Sequence, residues 1–179
     1  MKLTLPLVLF LLAAPAPLSA TAEVVKNAPT PADAKPNDSS VPDAYALSGH
    51  FDRIVVMRMK FKTDLLHGME QLAKQQGIQN GVILSGIGSL RGYHLHDVRA
   101  RDFPSLDVDM NEPTTPCDLV GMNGYIIDGN IHAHVTLGTG EKAIAGHLDP
   151  GTEVFTYAIV TIGVMNETDL RRVDDETYR

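Results

Sequence analysis

Asn130-Ile-His-Ala-His-Val-Thr-Leu-Gly-Thr-Gly-Glu-Lys-Ala-Ile-Ala-Gly-His-Leu148 decides the architecture of this chain. Polar and apolar residues alternate from Ile131 to Leu137, the period of a strand with one buried face. Gly138-Thr139-Gly140 then interrupts the pattern, and a second strand is expected over 143–149. A link of four or five residues between two strands is hairpin length, and hairpins join antiparallel neighbours.

Working outward, the same grammar repeats. Strands are expected over 118–128 and 153–165, punctuated by Asp128-Gly129-Asn130 and Asp149-Pro150-Gly151. Arg53–Phe61 is β-branched and then alternates apolar with basic residues, another half-buried strand. Thr63 or Asp64 offers an N-cap, Leu65, Leu66, Met69, Leu72 and Ala73 recur at helical spacing, and Gly77 stands where a helix stops. Gly81–Ser89 reads as a buried strand ending in a glycine-bent turn, with a further strand over Gly92–Val98. Residues 99–116 are polar and Pro-bearing, a long excursion expected to cover a pocket. The fold class is therefore α+β: a mainly antiparallel sheet of about six to seven strands with one principal helix packed on it.

The N-terminus has the look of an export signal. Met1-Lys2 precedes an apolar run from Leu3 to Leu12, and Ala20-Thr21-Ala22 supplies the small-x-small cleavage pattern. The run is too short to span a bilayer core, which needs roughly 20 residues, so no stable membrane insertion is expected after cleavage. The organisation expected is a signal peptide at 1–22, a disordered linker at 23–44, a domain at 45–166 and a charged tail at 167–179. The address is exported, periplasmic or extracellular. The whole chain carries 15 Lys+Arg against 22 Asp+Glu, net −7. Such a surface is repelled by phosphate backbones, which argues against nucleic acid as a partner. Cys117 is the only cysteine, so no internal disulfide forms, and it reads as a small buried hydrophobe.

Four of the seven histidines fall in two His-x-His pairs, His94/His96 and His132/His134. Residues i and i+2 of a strand project from one face about 6–7 Å apart, so two imidazoles so placed can converge on one metal ion. His147, past the next turn, is the candidate third ligand. A four-residue loop of 138–141 or 139–142 would bring it onto their face, and a five-residue loop of 138–142 would turn it away. The spacing leaves both open. Three histidines with one open position are the arrangement of a catalytic or ligand-binding zinc, although another divalent transition metal suits imidazole as well. For His94/His96 no third ligand of comparable quality is apparent.

Asp64-Leu65-Leu66, Gly81–Leu90, Asn123-Gly124, His132-Ala133-His134 and Gly146–Gly151, in this order, resemble the PPC domain, named for its occurrence in plants and prokaryotes. The likeness runs from Arg53 to Met165 and points to the prokaryotic metal-binding branch. It implies a homotrimer and implies that His132, His134 and His147 match the family's metal-binding histidines. Plant members carry AT-hooks for DNA outside the domain; no such Arg-Gly-Arg-Pro segment occurs here, so the family's DNA-binding label is not carried over. Phe61-Lys62 and Ala145-Gly146 depart from the family's usual Pro-Gly and Gly-Gly.

Two functions follow as expectations. One is a metal-dependent enzyme acting on a small oxygenated molecule as a lyase or hydrolase, with Asp128, Glu141 or Glu153 as acids or bases within reach and none singled out as catalytic. The other is a non-catalytic, ligand-binding PPC trimer whose metal is structural or absent. Ser85–Ser89 lacks a helix behind it and so reads as strand bending or close packing, not as a phosphate cradle.

Overall fold

The computed structural model describes residues 24–26, 42–102 and 106–173. The leader read at 1–22, most of the linker read at 23–44 and the last residues of the tail lie outside them. Strands are β1 (Val24–Lys26), β2 (Arg53–Lys60), β3 (Gly81–Leu90), β4 (Tyr93–Val98), β5 (Asp107–Glu112), β6 (Cys117–Ile127), β7 (Asn130–Gly138), β8 (Ala143–Leu148) and β9 (Val154–Val164). The helix α1 spans Leu65–Gln75, and a short 3-10 turn covers Leu170–Val173. One antiparallel sheet runs β1-β5-β4-β8-β7-β6-β3-β9-β2.

The α+β class stands, but the expected strand number is corrected. Eight strands, β2 to β9, build the domain, and β1 adds a three-residue edge to β5. The strand that the count lacked is β5. It lies inside the stretch read as an excursion, where Val108 and Met110 alternate with acidic and amide residues and pair along β4.

Local signals explain the helix. Asp64 caps it, accepting from the His67 amide at 2.9 Å. At the other end Gly77 has φ +62, its amide donates to the Lys74 carbonyl, and the Ile78 amide donates to that of Ala73. That is a Schellman stop, and Ile78, which follows, is fully buried. Leu65, Met69 and Ala73 face the sheet and meet Met57, Met59, Ile83, Leu95, Val160 and Ile162 in one core. α1 touches β2 at one edge and β7 four strands away, so the sheet curves around it. Among the described residues no helix is long and apolar enough to cross a membrane.

Opposed residues of an antiparallel pair share a face, so the pairings define what lies on the sheet's other side. One row of direct partners runs Ile54, Gly163, Val82, Tyr125 and His132 across β2, β9, β3, β6 and β7. A second runs Asp109, His96, His147, His134 and Asn123 across β5, β4, β8, β7 and β6. Both lie on the face away from the core. Its β2, β9 and β3 half is apolar, exposing Ile54, Val56, Ile87 and Phe155. Its β7, β8 and β4 half carries the histidines.

The glycines of β3 serve close packing. A Cβ on Gly88 would lie 2.5 Å from the Tyr157 carbonyl oxygen and 2.7 Å from Ala158 Cα. Both are backbone atoms, so relief requires β3 and β9 to separate. Gly88→Ala is expected to cost about 2–3 kcal/mol in urea denaturation. Gly140→Ala, with nothing within 4 Å of the added carbon, is expected to change stability little; equal costs for the two would contradict the packing account.

Candidate metal centre

His132 and His134 alternate along β7 with the buried Ala133 and Val135. His147 stands on β8 directly opposite His134. Gly138 pairs with Ala143, so the connecting loop is Thr139–Lys142, one of the two four-residue loops that bring His147 round. Thr139 shapes it: its amide donates to the Lys142 carbonyl, and its hydroxyl accepts from the Glu141 and Lys142 amides.

The three imidazoles gather so that one ligand nitrogen from each lies within 4.8 Å of the others. His132 and His134 are stacked, with ring centroids 5.3 Å apart. His147 stands edge-on to both, at 4.7 and 5.2 Å. The Nε2 atoms of His132 and His134 are 3.3 Å apart. Two nitrogens each about 2.0–2.1 Å from one tetrahedral cation lie about 3.3–3.4 Å apart, so this pair already has the spacing of a shared ion. Lone pairs facing each other at that distance need a cation or a proton between them.

Protonation favours the same use. Burial pushes the His147 pKa down to about 4, helped by His96, His132 and His134 around it, with Asp149 opposing. The ring is therefore neutral at physiological pH, the form that ligates metal. The donor set fits a divalent transition ion, with three imidazoles gathered on the side of the sheet away from the core.

Around this trio sit His94 and His96, for which the sequence offered no third ligand, with two carboxylates that it did not single out. His96 stacks on His147 at 4.4 Å between ring centroids, and its Nδ1 donates to Asp149 Oδ2 at 2.8 Å. His94 Nδ1 donates to the Pro150 carbonyl at 2.7 Å, and its Nε2 lies 2.8 Å from Asp109 Oδ1. The acids and bases expected from the sequence are elsewhere. Glu153 pairs with Arg91, Asp128 occupies the β6–β7 turn with φ +51, and Glu141 sits in the β7–β8 loop. The carboxylates that meet histidines on this face are Asp109 and Asp149. Cys117 is buried, and burial raises its pKa to about 11, so it is an inert core thiol.

The lowered His147 pKa has a definite sign in stability. Between about pH 4 and 6.5 the unfolded chain holds a proton on this ring that the folded chain does not, so falling pH destabilises the metal-free protein across that window. Below it the penalty is complete. His147→Gln removes this contribution, so its stability relative to the chelator-treated wild type is expected to improve from pH 7 to pH 4.5. Parallel curves for the two proteins would show that His147 titrates normally.

Residues 46–166 match the plants and prokaryotes conserved (PCC) domain. Among curated proteins, the bifunctional protein GlmU of two Synechococcus strains is 28% and 27% identical over 124 residues, 69% of this chain. The chain spans under a fifth of the length of those relatives, 18% and 19%. Three solved structures share the fold. A metal-containing protein of Archaeoglobus fulgidus superposes with TM-score 0.56 at 21% identity, over 68% of this chain and 86% of that one. A plant- and prokaryote-conserved protein of Pyrococcus horikoshii gives 0.55 at 24%, over 68% and 85%. A candidate DNA-binding protein of Bacteroides thetaiotaomicron gives 0.53 at 19%, over 63% and 79%. With the family model covering the sheet, the helix and the histidine face together, the chain belongs to the plants and prokaryotes conserved domain family.

Proposed function

We propose that this chain binds a divalent transition metal, zinc in the first instance, through His132, His134 and His147, and presents it to a small oxygenated ligand. The observation that carries the reading is the 3.3 Å approach of the His132 and His134 ring nitrogens with His147 edge-on to both. The metal-containing Archaeoglobus relative supports it. When bound, such an ion polarises a carbonyl or activates a water, the chemistry of a lyase or hydrolase. The chain's own part is to hold three imidazoles on adjacent strands, stack His96 on His147 and keep Asp149 hydrogen-bonded to His96.

The exposed apolar half of the same face supports a second reading. Val56 is 65% and Ile87 53% exposed, more than an isolated domain gains by leaving bare. A homotrimer closed over that half would leave the metal to hold the assembly and bind ligand without turnover. Nucleic acid is disfavoured by the net charge of −7 and by carboxylates among the histidines, despite the Bacteroides relative. Export rests on residues 1–22; recovery of the chain outside the cytoplasm lacking those residues is its check.

Zinc added to tag-free, chelator-treated protein at about 100 times its Kd is expected to add about 2.7 kcal/mol of stability, several degrees of Tm. His132→Ala and His147→Ala are expected to show a smaller gain than the wild type while keeping the far-ultraviolet spectrum. An equal zinc shift in both variants would remove the proposed centre. Turnover of small carbonyl or ester compounds that His132→Ala abolishes favours the enzyme. Zinc-dependent sedimentation as a trimer with no turnover favours the binding module.

A further inference from the structure

A second group of donors lies on the same face, two strands from β7. His94 on β4, Asp109 on β5 and Asp149 just after β8 bring one ligand atom each within 4.8 Å of the others. All three side chains are largely withdrawn from water, at 18, 17 and 12% exposure.

Hydrogen bonding decides what lies between them. The Pro150 carbonyl can only accept, so its 2.7 Å contact fixes the proton of His94 on Nδ1. The other nitrogen, Nε2, faces Asp109 Oδ1 from 2.8 Å. A carboxylate also only accepts. Two acceptors held that close require a cation between them, either a second proton on the ring or a metal ion. Asp149, whose Oδ2 also accepts from His96 Nδ1 at 2.8 Å, adds a second carboxylate, so a divalent ion here would meet two carboxylates where a ring proton meets one. The ring whose far N–H is fixed by a carbonyl is also the usual posture of a metal-ligating histidine.

The backbone holds this arrangement before any ion arrives. Thr152, fully buried, accepts from the His94 amide at 3.0 Å and donates back to its carbonyl at 3.1 Å. The Asp149 amide donates to the same His94 carbonyl at 3.0 Å. His94 and Asp149 are thus tied to each other from strands distant in sequence. In a rival group, His50, Asp52 and Glu167, the His50 and Glu167 side chains are 71 and 75% exposed, and only Asp52 is held, by the Asn166 amide.

We propose that His94, Asp109 and Asp149 form a second divalent-cation site, of mixed imidazole and carboxylate donors, beside the three-histidine centre. One nitrogen and two carboxylates suit zinc, manganese or iron(II). The proposal does not depend on the first centre being occupied.

Equilibrium dialysis of the full, tag-free chain against Zn2+, with bound metal counted by elemental analysis, is the test. Two ions per chain are expected for the wild type. Asp109→Asn is expected to hold one, the His132→Ala/His134→Ala double variant one, and the three substitutions combined none. One ion in the wild type that survives Asp109→Asn overturns the proposal and identifies the His94–Asp109 contact as an ion pair. Two ions that both survive Asp109→Asn overturn it as well and point to the His50 group. Should Asp109→Asn fail to fold, the double variant decides alone: one retained ion that His94→Gln then removes supports the site, and no retained ion sinks it. Failure of the three-histidine centre is read separately, as a double variant that binds as much metal as the wild type.

Discussion

The register between β7 and β8 is the constraint on which the site depends. His134 lies opposite His147 because Gly138 lies opposite Ala143, with four residues between. A slip of one residue would turn the whole of one strand over. Val135 and Leu137 on β7 and Leu148 on β8 are buried on the core side. Exposing any of them would cost about 1.5–3 kcal/mol each, far more than three imidazoles gain or lose at a surface. The apolar residues between the histidines thus specify where the histidines point, and Thr139 completes the turn that this register needs.

Close strand approach around the histidines rests on glycine. Gly124 has φ +146, and a Cβ there would meet the His132 carbonyl oxygen at 2.1 Å. A Cβ on Gly146 would lie 2.9 Å from the His96 carbonyl oxygen. The strands that carry His132, His147 and His96 close on their neighbours at positions where a side chain would hold them apart. Asp149 then links the groups from the loop that follows β8: its carboxylate receives His96, and its amide reaches His94. The bond from His96 offsets part of the cost of burying that carboxylate.

What could be read from the sequence was local. Asp64, the apolar spacing to Ala73, Gly77 and Ile78 specify the helix and its stop, and alternation with turn residues specifies seven strands. Val108 and Met110 between acidic and amide residues carried the eighth, but a polar stretch bearing Pro104 and Pro113 outweighed two apolar positions. That omission removed Asp109 from view. The pair His94/His96 then seemed to lack partners because β4 lies beside β8, a neighbour about fifty residues away with the β6–β7 hairpin between them in sequence. Alternation gives the face a side chain takes and is silent on which strand comes next to it. For the same reason Glu153, close to His147 along the chain, is paired with Arg91, and Asp128 lies in the β6–β7 turn.

Placing both halves of the exposed face on one side of a single sheet has a thermodynamic consequence. β3 and β7 are separated by β6 alone, and strands lie about 4.8 Å apart, so the apolar rows end roughly 10 Å from the imidazoles. α1 occupies the opposite side and does not screen the two from each other. In an assembly that covers the apolar rows, the rim of the covering surface falls beside the histidines, where water is excluded and the dielectric lowered. Neutral rings are less penalised there than protonated ones, and a bound ion is better shielded from competing protons. Ion binding and association are then coupled with one free energy, reciprocal by necessity: whatever tightens the assembly tightens the metal by the same factor. The candidate ligating side chains and the exposed apolar rows thus share one face of one sheet, and the β7–β8 register that orients the histidines fixes where they stand relative to those rows.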